Sequence, residues 1–261
     1  MITIVMAYYQ RQQQLLRTLL SFTQSQYKDF NVVIVDDCSP SDIVLPPLPF
    51  DVKIIKNKTK SINSVVVFNT GFNEALKSWP DVVLIHNPEC YHVGDVLSDA
   101  ALVKRDEYIS FSCYMIDRKT SESDYDINKV IKSNPGVTVT DENGDWGNRN
   151  GWCNHPVIDP VAFHYCCAIR TENLIKLNGF DERLAYGLSF DDDYFVRQVR
   201  NLGLKIEMPV YPFVVHQWHE NTQKMSKYKD LWKHNERVMN ELIPLKEYKA
   251  KHFITPDLCG I

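Results

Sequence analysis

The chain is expected to fold as an α/β protein: a mostly parallel sheet flanked by helices, in one domain with a helical C-terminal extension. Three observations carry that expectation. Apolar runs of strand length alternate with stretches of helical periodicity through residues 1–116. Three of these runs end on polar tips, Ala7–Tyr9, Asp36–Asp37 and His86–Glu89, and parallel sheets bind ligands beyond the C-terminal ends of their strands. A length of 261 residues with 44% hydrophobic side chains suffices for one large core.

The elements follow in order. "ITIVMA" is a first strand. "RQQQLLRTLLSFTQS" is a helix with Leu15, Leu16, Leu19, Leu20 and Thr23 on one face. "NVVIVDD" is a second buried strand. "DVKIIKN" is a third, after the proline-rich "LPPLPF". "NSVVVFNTGFNEALKS" places Val65, Phe68, Phe72, Ala75 and Leu76 at helical spacing. "DVVLIH" is a strand ended by Pro88, whose nitrogen has no hydrogen for a ladder. "VGDVLSDAALV" is a helix and "EYISFSCYMI" a single strand. From Asp117 to Asn154 the chain is rich in Asp, Asn, Ser and Gly and reads as a long loop, functional or disordered, carrying Trp146 and Trp152. "VAFHYCCAIR" resumes the strands. Phe195, Val199 and Leu202 form a helical stripe stopped by Gly203. "VYPFVVHQWHEN" follows, then a polar tail with helical stretches. The expected boundaries are 1–221 for the main domain (halves 1–116 and 117–221) and 222–261 for the extension.

Composition narrows the function. A net charge of -4 and a pI near 6.1 give no footprint for nucleic acid. No apolar run approaches the ~18 residues of a membrane span, and the N-terminus reads as a strand, not a signal peptide. Seven cysteines, an odd number without zinc-finger spacing, read as reduced thiols. A soluble cytoplasmic protein is expected. Neither GxGxxG nor GxxxxGK[ST] occurs, which disfavours dehydrogenases and P-loop enzymes. HExxH is absent too, and a structural zinc is not expected.

Four stretches carry candidate chemistry, each with a plainer alternative. Asp36 and Asp37 in "IVDDCS" are turn carboxylates or acceptors for a base or ribose. Asp191, Asp192 and Asp193 in "SFDDDYFVR" favour a helix start, or one of them is a general base with a raised pKa. His216 and His219 in "VVHQWHE" are core imidazoles or metal ligands. The turn "HNPE" is solvated, or it serves a metal and a phosphate.

Taken in order, these landmarks resemble family-2 glycosyltransferases of the GT-A, Rossmann-like fold, from about Met1 to Asn221. "IVMAYYQR" resembles the first strand and nucleotide loop, which implies donor contacts from Ala7, Tyr8, Tyr9 and Arg11. "FNVVIVDDCS" resembles the second nucleotide landmark, with Asp36 beside it and Asp37 facing uracil. "VVFNTGFNEAL" matches a helix signature through Asn69, Gly71 and Ala75. "HNPE" falls where the family carries Asp-x-Asp-Asp. His86 and Pro88 replace the separated aspartates, His86 and Asn87 stay on the donor side, and Glu89 keeps the last carboxylate. Counting back from Arg197 puts the catalytic aspartate at Asp191, with Asp192 second; the usual glutamate before it is Phe190. "VVHQWH" matches a metal-binding histidine, His216 first and His219 in reserve.

The resemblance implies transfer from a nucleotide-diphosphate sugar, UDP being the expected nucleotide, to a hydroxyl acceptor such as a growing glycan. It further implies inversion by direct displacement, with Mn²⁺ or Mg²⁺ as cofactor. Trp146, Trp152 and His155 are candidates for the acceptor face, or form a satellite core under the loop. Two rivals remain. A sugar-phosphate nucleotidyltransferase normally shows a glycine-rich basic signature near the N-terminus, and "AYYQRQQQ" has no glycine. A catalytically inactive nucleotide-sugar-binding protein fits the eroded acidic turn, but not the joint retention of Glu89, Asp191 and His216.

Overall fold

The computed structural model describes residues 1–133, 140–141, 144–145, 151–220 and 225–251. In chain order the elements are β1 (Ile2–Tyr8), α1 (Gln12–Phe22), β2 (Phe30–Asp36), β3 (Val52–Lys56), α2 (Val65–Ala75), β4 (Val82–His86) and β5 (Cys90–Val93). Then come α3 (Val96–Ala101), β6 (Glu107–Ser110), β7 (Ser112–Met115), α4 (Arg118–Ser121), α5 (Ile127–Ser133), β8 (Thr140–Asp141), β9 (Gly144–Asp145) and β10 (Trp152–Asn154). The chain continues with β11 (Cys166–Arg170), α6 (Thr171–Leu177), α7 (Asp191–Asn201), β12 (Lys205–Glu207), β13 (Phe213–His216) and α8 (Met225–Leu242).

A seven-stranded sheet runs β12-β6-β11-β4-β1-β2-β3. It is parallel except for β11, which pairs antiparallel with both β4 and β6. The central strands are buried on both faces, which is why they read as continuous apolar runs. One face packs on α1 and α3 and the other on α2, α6 and α7. In α2, a Cβ built on Gly71 would lie 2.3 Å from Val5 Cγ1, so glycine is what lets the helix lie against β1. Asn69 locks the same helix: its Nδ2 donates to Phe180 O and its Oδ1 accepts from Phe180 N, both at 2.9 Å.

Several expectations are corrected. The buried face of α1 is Leu15, Thr18, Leu19 and Phe22, whereas Leu20 is 53% exposed. Phe22 packs on Phe30 and Phe50, and turning this large ring inward sets the helix rotation and leaves Leu20 outside. "EYISFSCYMI" is two strands. The chain breaks at the buried Phe111, and β7 leaves for a second sheet of order β10-β7-β13-β5. Apolar residues on both sides of the break hid it from periodicity. The segment expected as a loop carries α4, α5, the β8–β9 pair and β10. The expected helical C-terminal piece is present as α8, whose Met239 and Leu242 are buried in the α2–α7 cluster. The six cysteines among the described residues are free thiols. Among the described residues, no helix is long and apolar enough to cross a membrane.

Candidate active site

Glu89 sits on the tight β4–β5 turn, where Cys90 N donates to Asn87 O at 3.1 Å. Gln217 fixes it from the other side: its backbone N and its Nε2 each donate to Glu89 O at 3.0 Å. The Glu89 carboxylate is 4% exposed and faces three partners. His216 Nε2 lies 3.3 Å away, His219 Nε2 3.7 Å and Arg11 Nη1 3.6 Å. Burial alone pushes this carboxyl up, but Arg11 and the two histidines together outweigh it and hold Glu89 well below the usual carboxylate range. His219 is pulled down to about 3 by burial and by Arg11. Arg11 Nη2 lies 3.1 Å from His219 Nδ1.

Glu89 Oε2 and His216 Nδ1 are buried without a hydrogen-bond partner, which is uncommon for buried polar atoms. One donor atom from each of Glu89, His216 and His219 lies within 4.8 Å of the others. A carboxylate and two imidazoles, with one oxygen and one nitrogen among them unpartnered, fit a divalent cation that completes its shell with diphosphate oxygens and water.

The second group is at the start of α7. Ser189 and Phe190 both have positive φ, 61° and 68°, a region that costs non-glycine residues about 1–2 kcal/mol each. The turn presents Asp191 and Asp192 at the helix start. Asp192 Oδ1 lies 2.5 Å from His164 Nδ1 and accepts His164 N at 3.0 Å. Asp191 Oδ2 accepts from Ser64 Oγ at 3.1 Å. The two carboxyls are driven apart. Burial and then the Asp192 charge raise Asp191. For Asp192, burial pushes up, but His164 outweighs it and the net direction is down. Both open on a cleft of about 350 Å³ lined by Ser64, Phe163, Tyr165, Leu188 and Asp193 among others. The Tyr165 ring stands edge-on to His216, centroids 5.9 Å apart, so the cleft adjoins the Glu89 group.

On the nucleotide side the structure separates the expected residues. Ala7, Tyr9, Arg11 and Asn87 are partly open. Asp37 accepts Ser61 N at 3.0 and 3.1 Å and pairs with Lys60 at 3.1 Å, while Lys60 Nζ lies 3.5 Å over the Tyr9 ring. Four of the expected donor residues lie in the interior. Tyr8 is a buried core ring. Asp36 is 1% exposed and holds its own turn, accepting Ser39 N at 3.0 Å. Asn69 is spent on Phe180. His86 is 0% exposed and faces the α1 side of the sheet.

Two of the three acceptor candidates sit in a packed cluster, the alternative given for them. Trp152 packs on Tyr114, His155 and Phe213, and His155 Nδ1 accepts the backbone N–H groups of Val157 and Ile158 at 3.2 Å. These two form a satellite core. Trp146 lies outside the described residues. The reading of the sequence passed over Ser64, His164, Tyr165 and Lys60. His164 and Asp192 are 28 residues apart, and no local pattern signals their pairing.

Comparison with known proteins agrees with this architecture. No curated protein matches the chain. Similar solved structures include S. aureus TarS 1-349, with a TM-score of 0.58 and 16% identity over 97% of this chain and 67% of that one. The same TarS piece in complex with UDP gives 0.61 and 15% over the same shares. Mannosyltransferase PcManGT from Pyrobaculum calidifontis, in complex with GDP-Man and Mn²⁺, gives 0.53 and 14% over 92% of this chain and 64% of that one. At such identities the likeness is one of fold, the GT-A glycosyltransferase fold. The sequence model of glycosyl transferase family 2 matches residues 3–175, about two thirds of the chain, and the protein belongs to that family.

Proposed function

We propose that the protein transfers a sugar from a UDP-sugar to a hydroxyl acceptor, with inversion at the anomeric carbon by direct displacement. The observation that carries this reading is the pair of unlike carboxyls facing the cleft beside Tyr165: Asp191, raised, and Asp192, held charged by His164. A raised carboxylate at the cleft wall is suited to take the acceptor's proton as its oxygen attacks. Ser64 Oγ donates to Asp191 Oδ2 at 3.1 Å and so helps fix the carboxyl.

Glu89, His216 and His219 would hold a divalent cation, which when bound neutralises charge on the diphosphate leaving group. Arg11 is placed to add its own positive charge there. Asp37 and Tyr9 bind the base, with Asp37, fixed by Ser61 N, as the acceptor for the imide N–H of uracil. The solved complexes of TarS with UDP and of PcManGT with GDP-Man and Mn²⁺ support a nucleotide-sugar donor and a divalent ion. The retained acid, base and histidines speak against an inactive binding protein.

Calorimetry of UDP binding with Mn²⁺ and then with EDTA tests the cation, and turnover of a UDP-sugar tests the enzyme. UDP is expected to bind more tightly with Mn²⁺. Equal affinity in EDTA would remove the ion and leave neutralisation to Arg11. If neither UDP nor any UDP-sugar binds, the donor assignment is wrong.

A further inference from the structure

His86 ends β4 with its ring turned into the core, beside His92 of β5 and Cys166 of β11. Cys166 is the direct register partner of His86 across β11 and β4. His86 and Cys166 are 0% exposed and His92 9%. The surroundings are otherwise apolar: the Phe22 ring centroid is 4.6 Å from that of His92 and 5.4 Å from that of His86. Placing two imidazoles in such a cluster is costly unless their nitrogens are used.

The nitrogens are arranged for use. His86 Nδ1 donates to Asn87 O at 2.8 Å, which leaves the lone pair of Nε2 directed inward. Metal-binding imidazoles are oriented by this kind of contact to a backbone carbonyl. His86 Nε2 and His92 Nε2 are 2.9 Å apart. Both rings stay neutral, as ligands must: burial lowers His86 to about 4 and His92 well below its ordinary value. One donor atom from each ring and the Cys166 sulfur lie within 4.8 Å of one another.

We infer that His86, His92 and Cys166 form a second metal site, separate from the Glu89 group, for a soft d¹⁰ cation, Zn²⁺ or Cu⁺. Two imidazoles and a thiolate, with no carboxylate, select soft ions over Mg²⁺ or Mn²⁺. Binding exchanges the Cys166 S–H bond for an S–metal bond and releases that proton to solvent, while the His92 proton that lies between the two Nε2 atoms moves to Nδ1 so that both rings offer a lone pair; no oxidation state changes. The ion would tie β4, β5 and β11 together and so stiffen the turn that presents Glu89.

The test uses the full chain freed of metal with EDTA. One arm titrates Co²⁺ as a spectroscopic stand-in for Zn²⁺, then displaces it with Zn²⁺. The other titrates Cu⁺ anaerobically against a competing chelator. In one arm the wild type and Glu89→Gln are both expected to show a thiolate-to-metal charge-transfer band that saturates at one ion per chain, whatever the Glu89 group takes up besides. Cys166→Ala, with its fold checked by circular dichroism, is expected to lose the band and the ion, and His92→Asn to do the same. The arm that succeeds names the ion. The proposal is overturned if neither arm gives a thiolate band, if the band survives in Cys166→Ala, or if it vanishes in Glu89→Gln. A plain histidine–histidine hydrogen bond would then remain.

Discussion

Asp191 and Asp192 are adjacent carboxylates in opposite surroundings, and the difference predicts their roles. Asp191→Asn is expected to lower turnover by about 10²–10⁴-fold with donor affinity unchanged. Asp192→Asn should cost less, because that carboxylate meets His164 rather than the acceptor. Parallel kinetics and donor calorimetry on the two variants check this; a dead Asp192→Asn beside a normal Asp191→Asn reverses the assignment. Since Asp191 is raised above the ordinary 3.8, turnover should fall with decreasing pH earlier than for an ordinary aspartate, in a pH–rate profile. The His164–Asp192 pair also has a pH signature. Burial lowers His164, but the Asp192 and Asp191 charges outweigh it and raise it above 6.5. Its contribution is therefore complete below 6.5 and lost as pH rises through the folded value. Asp192 is lowered below 3.8, so its contribution is complete above 3.8 and lost in acid. The pair is at full strength between those bounds. His164→Phe should destabilise by roughly 1.5–3 kcal/mol at about pH 5.5 and by less in alkali. Melting curves at the two pH values decide it, and an equal loss at both would deny the ion pair.

The turn into α7 is held by another helix. Asn235 of α8 is 0% exposed, and its Nδ2 donates to Leu184 O and Ser189 O, both at 3.0 Å. Trp232 packs on Phe190, centroids 5.1 Å apart, and Leu188 N donates to Leu231 O at 3.1 Å. These contacts offset the positive φ values of Ser189 and Phe190. Asn235→Ala frees two carbonyls and should cost roughly 2–3 kcal/mol, with turnover falling more than UDP affinity. Denaturant unfolding and steady-state kinetics measure the two effects; wild-type turnover would show that α8 does not brace the base. At α2, Gly71→Ala should destabilise by about 1–3 kcal/mol, because the new methyl meets Val5 Cγ1 at 2.3 Å.

Across the molecule, Tyr9 after β1, Asp37 after β2, Glu89 after β4, Ser64 before α2 and Asp191 at the start of α7 are the residues to which the proposed function gives the base, the diphosphate and the acceptor. The base preference follows from that assembly. Asp37 is an acceptor at the β2 end, which suits the imide N–H of uracil. UDP should raise the melting temperature more than GDP at equal concentration; a hundredfold excess over Kd corresponds to about 2.7 kcal/mol. A larger shift with GDP would overturn the uracil reading.

Much of this was legible in the chain. The alternation of buried strands and helices is written in period and length, because a strand covered on both faces must be apolar throughout. Glu89 and His216, read from the sequence as an ordered pair of residue types, are brought within 3.3 Å of each other by the fold. The corrections share one cause: each depends on contacts between segments far apart in sequence. Whether an apolar run is one strand or two, as at Phe111, depends on which sheet accepts each half. Whether His86, Asn69, Trp152 and His155 reach a ligand or the core depends on the direction of a Cβ, fixed by strand register and helix rotation. The division of labour between Asp191 and Asp192 rests on His164, 28 residues away. It came into view only when the fold closed the two segments on each other, because electrostatic neighbours are set by distance in space and not along the chain.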